Sequence, residues 1–112
     1  MWDHNTLLKP ISSDQPSGHD IAFSRDFDAI AEARRFDDPS LDQGEWQTEI
    51  KESDWNEVIT RTTALLETQS KDLRLAVWLT EASACKYGFA GLGQGFLLIA
   101  GLCDQYWDSL YP

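Results

Sequence analysis

A chain of 112 residues, 42% hydrophobic and 25% charged, is sized for one domain with a real core, and its five tryptophans and five phenylalanines are the largest burial units. Its net charge of −10 argues against nucleic-acid backbones and anionic membrane surfaces, both of which call for Lys and Arg. No apolar run approaches the roughly 20 residues that span a bilayer, Met1-Trp2-Asp3-His4 lacks the basic and apolar regions of a secretory signal, and two cysteines are too few for a disulfide scaffold.

The charge is uneven. Residues 1–56 carry 13 acidic and 5 basic side chains, whereas residues 57–112 carry 6 and 4. The acidity serves solubility and, on a functional reading, suits a basic protein partner. Cys85 and Cys103 lie within helical patterns and are expected as buried free thiols, which is consistent with a reducing cytoplasm.

The first 23 residues are dense in turn formers (Pro10, Ser12, Ser13, Asp14, Pro16, Ser17, Gly18) and predict an irregular lead-in anchored by Leu7, Leu8 and Ile11. Ser24 then caps a first helix over about Arg25 to Phe36, with Phe27, Ile30, Ala31 and Arg34 at helical spacing, Asp26 and Asp28 in its first turn and Arg34-Arg35 in its last. Asp37-Asp38-Pro39 ends it. Residues 37–53 read as an acidic connection whose apolar contacts are Trp46 and Ile50.

A second helix starts at Ser53 or Asp54, where Asp54-x-x-Glu57 has capping-box spacing, and ends near Gln69. Trp55, Val58, Ile59, Thr62 and Leu66 form its apolar face. After a tight Ser70-Lys71-Asp72 connection, Asp72 caps a third helix running to about Tyr87. Ser70 to Ala82 is apolar on almost every side, so this central helix must be wrapped by others; only Arg74 and Glu81 share a narrow polar stripe. Gly88 suits the left-handed C′ position. A fourth helix runs from Ala90 or Leu92 to Tyr106 or beyond, with Leu92, Phe96, Ile99, Cys103, Tyr106 and Leu110 as its apolar stripe. Short connections make the last three helices consecutive antiparallel neighbours. The fold class is all-α: a bundle of antiparallel helices with an irregular lead-in and an acidic loop.

No catalytic constellation emerges. Gly88, Gly91, Gly93 and Gly95 fail the dinucleotide fingerprint, because Phe96 stands where glycine is required and a helix precedes them. Ser17, His19 and Asp20 are neighbours in sequence, whereas a triad is assembled in space; a turn in which Asp20 accepts from nearby backbone N–H groups is the expectation. His4 and His19 have no metal-ligand spacing, Asp26 and Asp28 fail the calcium-loop pattern, and Asp37, Asp38 and Asp42 read as a solvated acidic loop. No metal and no cofactor is expected. Trp55, Trp78 and Trp107 are assigned to the core, with Trp46 and Tyr111 at element edges.

Leu8-x-Pro10-Ile11-Ser12, Pro16-Ser17-Gly18-x-Asp20, Asp54-Trp55-x-x-Val58, Ser70-Lys71-Asp72-Leu73-Arg74, Trp78-Leu79-Thr80-Glu81-Ala82, Gly88-Phe89-x-Gly91-Leu92 and Tyr106-Trp107-Asp108-x-Leu110-Tyr111-Pro112 resemble the ImpA-related N-terminal domain of TssA-like type VI secretion proteins and related sheath accessory proteins. Phe23-Ser24, Gly93 and Phe96 depart from the family pattern. The resemblance implies a cytoplasmic, non-enzymatic, all-helical domain over residues 1–112. It implies a fragment of a longer protein, homo-oligomeric through a C-terminal region that this chain lacks. It also implies protein partners among the sheath, tube, baseplate or membrane-complex components, with no nucleic acid and no membrane insertion.

The residues expected at a partner surface are Trp46, Arg74, Glu81 and Tyr111. The alternatives are a general α-helical peptide-binding module, motivated by the antiparallel helices, a sheath-terminating accessory role, and a small enzyme using Ser17, His19 and Asp20.

Overall fold

The computed structural model describes residues 1–35 and 53–112. These form five α-helices: α1 His4–Leu7, α2 Arg25–Arg34, α3 Trp55–Thr68, α4 Leu73–Tyr87 and α5 Phe89–Tyr106. The fold is all-α. β-Type pairing is limited, among the described residues, to two isolated bridges, Gly18 with Ser70 and Asp72 with Tyr111.

Local sequence sets the helix starts. Ser24 Oγ accepts from Phe27 N–H, an Asp54 carboxylate oxygen accepts from Glu57 N–H, and Asp72 accepts from Arg74 N–H, each satisfying an otherwise orphaned donor. The capping box at Asp54 is only half made. The Glu57 carboxylate turns to Arg61, and Asp54 N–H donates instead to Ala33 O across 2.7 Å. Together with Ser53 Oγ donating to Arg34 O, that bond ties the start of α3 to the end of α2.

α4 is the central helix, packed against α3 on one side and α5 on the other. Its Leu75, Ala76, Leu79 and Ala82 are fully buried with Ile30, Val58, Leu66, Leu98 and Leu102. α2 packs on α3, and α1 packs on α5 and α3. The α4–α5 contact is close because glycines line it. A Cβ on Gly91 would stand 2.1 Å from Ser83 O, and one on Gly95 would stand 2.3 Å from Thr80 Oγ1.

Several expectations are corrected. The lead-in holds a short helix, α1, nucleated by Asp3 accepting from Asn5 N–H. The helix expected to reach Phe36 ends at Arg34, where Arg35 turns extended at ψ 140°, and its inner face uses Ala33 while Ala31 is exposed. Gly88 has the positive φ of 66°, but its ψ of −142° lies outside the left-handed helical region; the chain reverses directly from α4 into α5.

The buried stripe of α5 is Gly91, Gly95, Leu98, Leu102 and Tyr106, rotated from the predicted one, so Phe96 faces solvent. Glycines at 91 and 95 admit the α4 backbone, and the helix turns that face inward. Trp107, assigned to the core, is exposed, whereas Trp55 and Trp78 pack half-buried on it. Both cysteines are free thiols, but Cys85 is exposed and Cys103 half-buried, since each lies on the side of its helix away from the central contact.

Candidate functional site

Two features position the side chains of interest: a junction around Ser70–Leu73 and a ladder of stacked side chains along the outer face of α4.

At the junction the α3–α4 connection runs between the N-terminal lead-in and the C-terminal tail. His19 N–H donates to Gln69 O (3.1 Å) and Lys71 N–H to Ser17 O (2.8 Å) on one edge. On the other edge Tyr111 N–H donates to Lys71 O (3.0 Å) and Leu73 N–H to Tyr111 O (2.6 Å). Gly18 has φ 75°, and a Cβ there would lie 1.9 Å from Gln69 O, so only glycine allows this approach.

Lys71 is fully buried at the centre of the junction. Its ammonium donates to Leu7 O and Leu66 O, both at 2.6 Å, and so closes the C-terminal carbonyls of α1 and α3 at once. Burial pulls its pKa down to about 8, against the opposing charge of Glu67. Tyr106, whose ring lies 6.0 Å from that ammonium, donates its hydroxyl to Leu8 O, and burial raises its pKa. Lys71 stands in the Ser70-Lys71-Asp72-Leu73-Arg74 motif, but the motif does not show its role, because its partners are backbone carbonyls 5 and 64 positions away.

The ladder begins beside the junction. Asp72, itself buried, accepts from Arg74 Nε and Nη2 at 3.1 and 2.7 Å; this hydrogen bonding, reinforced by the charges of Asp72 and Asp20, raises the guanidinium pKa further. Arg74 lies 4.8 Å over the Phe27 ring. Phe27 meets Trp78 at 5.0 Å between ring centroids with a 58° tilt, and Arg34 lies 5.0 Å over the other partner's ring, that of Trp78. Arg34 then forks onto Glu81, with Nε and Nη2 at 3.1 and 3.0 Å from the two carboxylate oxygens.

The order Asp72, Arg74, Phe27, Trp78, Arg34, Glu81 thus runs acid, cation, ring, ring, cation, acid, joining side chains of α2 to those of α4. Each cation–ring contact is worth about 0.5–1 kcal/mol at such exposed sites. At about 100° per residue, Arg74, Val77, Trp78, Glu81 and Cys85 share the outer face of α4, and Val77 is 48% exposed there.

The structure therefore places the expected partner residues as follows. Arg74 stands next to the Asp72 end of the ladder and Glu81 at its other end, both engaged within the chain and still reachable from solvent. Tyr111 holds the junction through its backbone, its half-buried side chain beside an open groove of about 310 Å³ lined by Asp14, Pro16, His19 and Ser109. Trp46 lies outside the described residues. Phe27, Trp78 and Arg34 were not expected at the site, since their association is tertiary.

Ser17, His19 and Asp20 are not brought to one point: Ser17 Oγ shares a 2.6 Å hydrogen bond with Ser109 Oγ, and Asp20 accepts from Ala22 N–H as the turn reading expects. His4 Nδ1 bonds Gln94 Oε1 at 2.8 Å. Among the described residues no three His, Cys, Asp or Glu side chains converge, and no helix is long and apolar enough to cross a membrane.

Residues 8–112 match the family described as ImpA, N-terminal, type VI secretion system. The whole chain aligns with the type VI secretion system component TssA1 of Pseudomonas aeruginosa at 32% identity, covering 32% of that protein. Its fold superposes with a TM-score of 0.84, at 46% identity, on the N-terminal domain including the conserved ImpA_N region of the TssA component of the type VI secretion system from Burkholderia cenocepacia, covering 98% of this chain and 39% of that one. The chain thus spans about a third of the TssA1 relative and about two fifths of the solved chain. It belongs to the ImpA N-terminal, type VI secretion system family.

Proposed function

We propose that residues 1–112 form a single non-enzymatic protein-interaction domain of a longer TssA-type assembly protein. Working in the cytoplasm, it recruits or positions the contractile sheath and tube at the baseplate or membrane complex. The remaining length of such a protein supplies the homo-oligomer on which copies of this domain are displayed.

The observation that supports this reading is the outer face of α4. Val77, half in solvent, sits between Arg74 and Glu81 on a surface held rigid by the Phe27–Trp78–Arg34 stack. A small apolar patch rimmed by one cation and one anion, on side chains that are already ordered, binds a protein surface at low entropic cost.

The test uses purified sheath, tube, baseplate and membrane-complex proteins of the same secretion machine, each titrated against the chain by biolayer interferometry, singly and displayed on a multivalent scaffold. The reading expects one of them to bind and Val77→Glu to weaken that binding at least tenfold, with the helical circular dichroism unchanged. No binding by any component in either format overturns the recruitment function. Binding that Val77→Glu leaves intact overturns the surface.

A further inference from the structure

α5 has two apolar sides, and the core covers only one. Opposite the buried stripe lie Phe89, Gly93, Phe96, Ala100, Cys103 and Trp107, spaced +4, +3, +4, +3 and +4, which is the a/d period of a helix-packing seam. Phe89 is 93% exposed, Phe96 59% and Trp107 72%. Gly93 has nothing near the position of a Cβ. Among the described residues, an apolar stripe of roughly 27 Å (18 residues at about 1.5 Å rise) is therefore left without a partner.

We infer that a second copy of this chain covers this face, α5 packing antiparallel against α5 about a twofold axis near Leu98. The seam is complementary to itself in that arrangement. Phe96 of each copy falls opposite Ala100 of the other, Gly93 opposite Cys103, and Phe89 opposite Trp107, so large residues meet small ones at the centre and aromatic pairs close both ends.

Charge selects the same face. Two chains of net charge −10 repel, yet α5 carries one charged side chain, Asp104, among its 18 residues, and the antiparallel register sets it opposite Leu92. A single helix pair falls below the roughly 1,600 Å² of a standard interface, so association is weak, with Kd on the order of tens to hundreds of micromolar.

Sedimentation equilibrium of the chain from about 10 μM to 1 mM tests this. The weight-average mass rises from 12.7 kDa toward twice that value. Phe96→Glu, at an exposed site, keeps the circular dichroism and weakens association at least tenfold, whereas Val77→Glu on α4 leaves it unchanged.

The register has its own readout. In a Cys85→Ser background, Gly93→Cys places a thiol opposite Cys103 of the second copy but about 15 Å from Cys103 of its own helix, too far for a bridge. Mild oxidation then yields a covalent dimer, and Cys85→Ser alone yields none. A mass that stays at 12.7 kDa up to 1 mM, or self-association indifferent to Phe96→Glu, overturns the inference. Equal cross-linking with and without Gly93→Cys overturns the antiparallel register. These outcomes are independent of binding to secretion components through α4.

Discussion

Replacing Lys71 by methionine should remove a rise of stability with pH that the wild-type chain shows between about pH 7 and 10. Below pH 8 the ammonium is charged in both states, and the folded chain bears the full cost of burying it. Between pH 8 and 10.5 the folded state has released the proton while the unfolded chain still holds it. The unfolded state then binds more protons, and stability climbs as pH rises. The whole separation, from 10.5 to about 8, corresponds to roughly 3 kcal/mol at about 1.36 kcal/mol per unit, of which about 2 kcal/mol falls between pH 7 and 9.5. Above pH 10 the window closes, because burial raises the Tyr106 pKa and the phenol ionises first in the unfolded chain, which lowers stability again. Methionine keeps the stem's volume but leaves Leu7 O and Leu66 O without their donor, a loss of about 1.5–3 kcal/mol for each charge-assisted bond. Relief of the buried charge offsets much of it, so the two proteins should lie within about 3 kcal/mol at pH 7. Urea melts of both proteins at half-unit pH steps give the difference curve, from which thiols and surface groups cancel. Parallel curves would refute a buried, desolvated ammonium at this position.

Gly91→Ala and Gly93→Ala lie two residues apart on α5 and should move stability in opposite directions. The first drives a methyl into Ser83 O and should cost about 1–3 kcal/mol, whereas the second enters open space and should gain about 0.5–1 kcal/mol of helix propensity, both read by thermal melts. Gly18→Ala should lose roughly 2–5 kcal/mol, from a positive φ and overlap with the Gln69 carbonyl, seen as a large fall in the urea midpoint. A double-mutant cycle on Arg34 and Glu81 should return a coupling of only about 0.5–1 kcal/mol, because both side chains are partly exposed; Arg34→Ala should cost more than Glu81→Ala, since it also vacates the Trp78 ring.

What the sequence made legible is local. Ser24, Asp54 and Asp72 announce helix starts because a cap needs one side chain and a backbone N–H two or three residues on, and all three caps form. Asp20 declares its turn in the same way. The Arg74–Glu81 stripe was readable from helical period, but its meaning was not: the residues that join its ends, Phe27 and Arg34, lie 47 positions upstream of Arg74 and Glu81 respectively, on another helix. Lys71 stands in a family motif, yet its burial was illegible for a stricter reason. A lysine between two polar residues reads as solvated, and only the convergence of two helix ends and the chain's tail makes it a buried clamp. The acidic connection with Trp46 falls among residues 36–52, outside those described.

The register of α5 shows why an apolar helix resists such reading. Its sequence holds three interleaved apolar stripes: the predicted one through Leu92, Phe96 and Ile99, the buried one through Gly91, Gly95, Leu98 and Leu102, and the outer one through Phe89, Phe96 and Trp107. Ranked by side-chain hydrophobicity, the buried stripe is the weakest, because two of its members are glycine. Approach distance reverses the ranking. Glycine at 91 and 95 lets α5 lie against the Ser83 carbonyl and the Thr80 side chain of α4, and dispersion falls steeply with distance, so a separation wide enough to turn Phe96 inward would forfeit that close contact along both backbones. The aromatic residues are then forced to the outside by geometry, which leaves a large apolar face in water on a chain that is otherwise strongly acidic. A face produced this way is stable only if something covers it or if its exposure is tolerated at working concentration, and the Phe96→Glu variant separates the two. Raised solubility with unchanged mass distribution means tolerated exposure; loss of a concentration-dependent dimer means the face is an interface.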